Sequence, residues 1–190
     1  SGKSTLIRIL AGYEQMDSGG EINCFGNFQL SPSELMVFPQ DVEEVMSGEL
    51  YVSEFVSLFN TQKILTLAAE LEIDWIGRYS APKSKLIKEL SGGEKQILLC
   101  TVMLSSKRKL FLLDEVFSAM DTNNRQNLMN YLKSSIKKFH ASCIIISHDL
   151  DFAHDNADQI LVLHKGKLSL NSAPNLITKE NLLASLFNNT

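Results

Sequence analysis

The sequence has no apolar run approaching the roughly 18 residues that a membrane-crossing helix requires. Its longest candidates, residues 97–104 and 143–146, are short and bounded by polar residues, so no helical membrane span is expected. It also lacks an excess of positive charge. Lysine and arginine number 18 against 22 acidic residues, for a formal net charge of -4. The two signs are interspersed, which leaves no electrostatic footprint for nucleic acid or an anionic membrane surface. Nucleic acid is therefore not an expected partner. Cysteine is scarce: Cys24, Cys100 and Cys143 lie far apart, each among apolar neighbours. That pattern excludes a disulfide framework or a cysteine metal site and points to reduced core thiols in a reducing compartment such as the cytoplasm. Internal repeats, low-complexity tracts and linkers are absent as well.

What is present suffices for one domain, since 190 residues of 44% hydrophobic content can bury a sizeable core. Residues 6–11 have helical character, and Gly12 stands where a left-handed helix end favours glycine. After a Ser18-Gly19-Gly20 turn, residues 21–26 alternate as a strand does. Residues 35–39 read as a second strand, with Gln40 just past its end. From 49 to 88 there is helical periodicity with few breakers, Tyr51, Phe55 and Phe59 recurring at four-residue intervals. Residues 110–113 and 143–146 are short apolar runs of the kind buried parallel strands present. The helical stretch 123–139 between them completes a βαβ unit. Residues 160–164 and 167–170, joined across Lys165-Gly166, read as a hairpin, and 175–187 as a final helix. The expected organisation is a single α/β domain with a parallel sheet, its core formed by residues 1–40 and 106–190 around a helical subdomain at 41–105.

Three segments carry chemistry. Gly2-Lys3-Ser4 is the end of a phosphate-binding loop, GxxxxGK[ST], whose other residues would precede residue 1. In such a loop, backbone N–H groups at a helix N-terminus hold phosphate oxygens, the lysine neutralises the β- and γ-phosphates, and the serine hydroxyl ligates magnesium. Lys3 and Ser4 are the candidates, although GKS at an ordinary helix start would spell the same residues. Asp114 ends an apolar strand at the carboxyl edge of the sheet, where its carboxylate can hold magnesium, and Glu115 beside it can polarise an attacking water. Helix capping would account for either acid alone; it accounts poorly for two of them ending an apolar strand downstream of GKS. Leu90-Ser91-Gly92-Gly93-Glu94 opens an apolar helical stretch, so Ser91 and the glycines lie at a helix N-terminus with donors available to an anion. Ser18-Gly19-Gly20-Glu21 repeats four of these residues but runs into a strand, where they make only a turn.

Taken in order, Gly2-Lys3-Ser4-Thr5, Gln40, LSGGE at 90–94, LFLLDE at 110–115, SAMD at 118–121 and SHD at 147–149 make the chain resemble the ABC ATPase family over essentially its whole length. The resemblance implies a P-loop NTPase (RecA-like) core with an ABC-type helical subdomain. It also implies that the chain begins within its phosphate loop, the N-terminal strands and the adenine-stacking aromatic residue lying upstream. ATP and Mg2+ are the implied cofactors. Ser1, Gly2, Lys3, Ser4 and Thr5 would bind the nucleotide, and Ser4, Gln40 and Asp114 would surround the metal. Glu115 would be the general base, His148 the switch histidine on the γ-phosphate, and Gln40 the sensor coupled to the membrane partner. Ser91, Gly92 and Gly93 of one subunit would close over the nucleotide of another in a head-to-tail dimer, with Asp121 aligning that interface. His140, His154 and His164 are expected to have ordinary surface or packing roles. Two positions depart from the family pattern: Glu94 replaces a frequent glutamine, and Val116-Phe117 a frequent Pro-Thr.

The short interval from Lys3 to Ser91 leaves no room for the coiled-coil insertion of the family's DNA-repair and chromosome-structure branches. Residues 50–56 (LYVSEFV) and 173–182 are similar to stretches in the ATPases of iron-siderophore, haem and cobalamin importers, with helix packing and capping as the plainer explanation. The implied function is the ATP-hydrolysing subunit of a transporter of that kind, peripheral on the cytoplasmic face of the membrane. Its implied partners are permease subunits and an external solute-binding protein. The alternative is a soluble non-transport ABC protein of the tandem-domain translation-factor type, which a second ATPase domain in the gene product would favour.

Overall fold

The computed structural model describes residues 2–17, 19–22, 31, 33–39, 41–106, 108–118 and 120–187, with residues 186 and 187 described by backbone alone. The chain divides into two compact units, one of residues 31–144 and one of residues 1–30 with 145–190.

In the first unit, β1 (Leu35–Phe38) pairs in parallel with β2 (Leu110–Asp114), Leu35 opposite Leu110 and Phe38 opposite Leu113. The sheet order is β1-β2-β3, so β2 is central; β3 (Ser142–Ile146) crosses the boundary between the units. Every residue of β2 is buried. A strand covered on both faces has no reason to alternate, which is why this one reads as an unbroken apolar run. The crossover from β2 to β3 is α7 (Thr122–Phe139). It is closed by His140 in a left-handed conformation, φ 50, with the Ala141 N–H donating to the Ile136 carbonyl at 3.0 Å. His140 thus does the work of a helix-ending glycine.

Between β1 and β2 lie α2 (Val42–Val45), α3 (Val52–Ser57), α4 (Thr61–Glu70), α5 (Asp74–Tyr79) and α6 (Gly92–Leu104). The periodicity of residues 49–88 is thus realised as three short helices with local stops between them. Asn60 caps α4 by accepting from the Lys63 N–H at 3.0 Å. The left-handed Glu72 (φ 58) ends that helix, and Lys83 (φ 54) turns the chain after α5. Val52, Val56, Ile64, Ile76 and Leu98 are fully buried among these helices. Cys100 is buried and Cys143 half-buried, both unpaired to other cysteines. Burial pushes the Cys100 thiol up, with Cys143 adding to the effect, and pushes Cys143 up to about 12. These are unreactive core thiols; Cys24 lies outside the described residues.

The second unit holds α1 (Lys3–Leu10), α8 (Leu150–Asn156), the antiparallel hairpin β4 (Ile160–His164) and β5 (Lys167–Ser172), and α9 (Lys179–Phe187). Lys165 (φ 47) and Gly166 (φ 77) give the hairpin the two positive φ values of a two-residue type I′ turn. Ile160, Val162 and Leu182 form its buried centre, with Leu150, Ala157, Leu170 and Ile177 packed around them. The last helix starts later than residue 175. Pro174 begins a 3-10 turn over Pro174–Leu176, and the Thr178 hydroxyl then caps α9 by accepting from the Asn181 N–H at 3.2 Å. Most of the strand expected at 21–26 lies outside the described residues. Among the described residues, no helix is long and apolar enough to cross a membrane.

Candidate functional site

The candidate residues fall into both units. Gly2, Lys3, Ser4, Thr5 and His148 belong to the unit of residues 1–30 and 145–190, and Ser91, Gly92, Gly93, Asp114, Glu115 and Asp121 to the unit of residues 31–144. Ser1 and Gln40 lie outside the described residues.

Gly2 is the N-cap of α1 in a left-handed conformation, φ 91, which a residue with a Cβ adopts only at a cost. It turns the chain directly into a helix whose first three residues are Lys3, Ser4 and Thr5. First-turn N–H groups of a helix have no partner within it, so this geometry suits an anion approached by Lys3 and Ser4. His148 is exposed, on the short turn between β3 and α8. That turn is held by the Ser147 hydroxyl, accepting from the Asp149 N–H at 3.1 Å, and by Asp149, which caps α8 through the Phe152 N–H at 2.9 Å.

Ser91 is the N-cap of α6, with Gly92 and Gly93 in its first turn. The Ser91 hydroxyl accepts from the Glu94 N–H at 3.2 Å, and the Glu94 carboxylate accepts from the Ser91 N–H at 2.8 Å. This reciprocal box fixes the turn while leaving the glycine N–H groups without helical acceptors. Glu94 also lies 3.6 Å from Lys85. The glutamate found in place of the family's frequent glutamine thus caps the helix and holds a lysine.

Asp114 is the buried last residue of β2, and Glu115 follows it half-buried. Glu115 has φ 53, a left-handed conformation in a residue with a long side chain; such a backbone costs about 1–3 kcal/mol and persists only where its surroundings enforce it. Ser118 supplies the enforcement. Its N–H and its hydroxyl both donate to the Glu115 carbonyl, at 3.2 and 2.8 Å. Ser118 was legible in the sequence only as part of SAMD, and its three-residue spacing from Glu115 is the signal that finds this role.

Asp121 caps α7, one oxygen accepting from the Asn124 N–H at 3.0 Å and the other from the Asn124 side-chain amide at 2.6 Å. These bonds, the backbone one first, hold its carboxyl below the usual carboxylate range. Asp121→Ala is expected to cost about 1 kcal/mol of stability. Because the folded pKa is the lower one, the cap's contribution is present above the unfolded pKa and is lost as pH falls through the folded value. Denaturant midpoints of the wild type and the variant should therefore differ at neutral pH and converge in acid.

The model of the family described as ABC transporter matches residues 1–118. The probable sulfate/thiosulfate import ATP-binding protein of Chlorella vulgaris is 30% identical over 179 residues, covering 88% of this chain and 73% of that protein. The hemin import ATP-binding protein of Vibrio anguillarum is 30% identical, covering 92% of this chain and 71% of that protein. Of other sulfonate and sulfate import relatives the chain spans only 65% and 52% of the length. A solved structure of the ATP-binding subunit of an ABC transporter superposes with a TM-score of 0.73 at 20% identity, over 90% of this chain and 74% of that one, a likeness of fold. The parallel α/β sheet, the order of the motifs and these relationships agree: the chain belongs to the ABC transporter family, as an ATP-binding domain of its ATP-hydrolysing subunits.

Proposed function

We propose that the chain binds and hydrolyses ATP to drive an importer, working on a separate membrane permease from the cytoplasmic face. The observation that carries this reading is the end of β2, a wholly buried strand that delivers Asp114 and then Glu115 on a strained turn. Phosphoryl transfer to water needs a positioned carboxylate and charge stabilisation more than covalent help. Glu115 orients the attacking water and accepts its proton. Lys3 and the N–H groups at the start of α1 hold the β- and γ-phosphates, with Ser1, Gly2 and Thr5 completing the loop, and His148 contacts the γ-phosphate. A serine hydroxyl and a carboxylate are hard oxygen donors that suit magnesium. Ser4, Asp114 and Gln40 would hold the ion, which when bound draws charge from the phosphates.

The same reading makes the site composite. Ser91, Gly92 and Gly93 of one subunit close over the nucleotide on the P-loop of a second, head to tail, and Asp121 lies at that interface. Closure passes through Gln40 and the region from Tyr51 to Phe59 to the permease. Leu58 and Phe59 within that region, and Val45 and Leu50 just before it, are exposed apolar side chains, a supply of contacts for such a partner. For the solute, the relatives' names point several ways, to sulfate, sulfonates, polyamines and hemin. The likeness of residues 50–56 and 173–182 to iron-siderophore, haem and cobalamin importer ATPases favours that class, with an external binding protein delivering the solute. Co-expressed at full length with its permease, the protein is expected to copurify with it in membranes and to hydrolyse ATP only when magnesium is present. A soluble protein with a second ATPase domain and no affinity for a permease would overturn the reading.

A further inference from the structure

The first turn of α6 contains no apolar side chain. Ser91, Gly92, Gly93 and Glu94 lie between the buried Leu90 and Ile97, so polar contacts supplement these two anchors in fixing where the turn points. Glu43, on α2 and close behind Gln40 in sequence, provides one. One of its carboxylate oxygens takes a hydrogen bond from Nζ of Lys95. The other lies 3.4 Å from the place a Cβ on Gly92 would occupy. Lys95 is only 6% exposed, a depth at which lysine is rare without a counter-charge. Glu43 itself keeps most of its side chain in solvent. The pair therefore places the carboxylate against the Ser91–Gly93 turn without burying both charges. α2 is fixed at its ends by the Asp41 cap, which accepts from the Glu44 N–H at 2.9 Å, and by the buried Val42 and Met46.

We propose that Glu43 and Lys95 are a positioning pair that couples the segment after Gln40 to the orientation of the Ser91–Gly93 turn. The inference rests on the proposed function, in which that turn closes over a nucleotide. A shift of α2 moves Glu43, and the charged link to Lys95 carries the shift into α6, the glycine at 92 leaving room for the carboxylate beside the turn. Neither residue touches nucleotide in this scheme.

The test uses the full-length protein with Glu43→Gln, Lys95→Met and the reversed pair Glu43→Lys/Lys95→Glu. Each single variant is expected to lower kcat about tenfold while the KM for ATP stays within about twofold, because the P-loop is untouched. The reversed pair should recover most of the loss. Amide exchange at residues 92–94 should quicken in the single variants and slow again in the reversed pair, whatever their turnover. Wild-type exchange in the single variants, or kcat and KM changing together with no recovery on reversal, would overturn the proposal. A wild-type protein that does not hydrolyse ATP would instead count against the transport reading, and the exchange data would then decide the pair alone.

Discussion

Glu115→Gln is expected to slow ATP turnover by about 10²–10⁴-fold, the range a positioned general base contributes, while leaving nucleotide binding intact. The amide is nearly isosteric with the carboxylate but cannot accept the proton of the attacking water. Its backbone should stay where it is, because Ser118 holds the left-handed conformation at residue 115 through the main-chain carbonyl, which the substitution leaves in place. Binding without hydrolysis should trap two subunits around ATP. Steady-state phosphate release and ATP-dependent size-exclusion chromatography measure the two consequences. Lost turnover with a trapped dimer supports Glu115 as the base; unchanged turnover excludes it and leaves the transport-motor reading without its chemical step.

How much of this was legible in the sequence depended on whether the determining contacts are local. The strands at 35–38, 110–114 and 142–146 were readable because each is a short and nearly continuous apolar run, of which only the central one is buried throughout, and the hairpin because Lys165-Gly166 allows two left-handed residues. Helix ends were less legible. The stops at Glu72 and Lys83 are made by ordinary residues in left-handed conformations, where glycine is the usual signal, so one periodic stretch concealed three helices. The chemical residues were named by motif order, and local structure explains several of them. Gly2 and Ser91 both begin helices, and Asp114 ends a buried strand. Motif order said nothing of the residues that hold them. Ser118 could be found from spacing. Glu43 and Lys95 could not, being 52 residues apart and joined only once α2 packs on α6.

Gly92→Asp is expected to abolish turnover, lowering it by at least about 10²-fold, with little change in the ATP affinity of the isolated subunit. The glycine begins α6, and a side chain there meets Glu43 at once, its Cβ 3.4 Å from a carboxylate oxygen. An aspartate adds like-charge repulsion against Glu43 and fills the helix N-terminus with its own anion, which in the proposed composite site would exclude a phosphate of the partner's nucleotide. Folding should tolerate the change better than activity does, since a carboxylate in the first turn of a helix is favourable in itself. Lys3→Ala should be equally inactive for the opposite reason, since that chain keeps an intact α6 turn but has a P-loop that cannot neutralise phosphate. If the site is composite, a heterodimer of the two variants contains one complete site, the P-loop of the Gly92→Asp subunit facing the α6 turn of the Lys3→Ala subunit. Mixing two inactive proteins should then restore measurable hydrolysis. A heterodimer that forms and stays silent would show that each subunit's α6 turn does not serve the other's nucleotide, and would remove the head-to-tail arrangement from the mechanism.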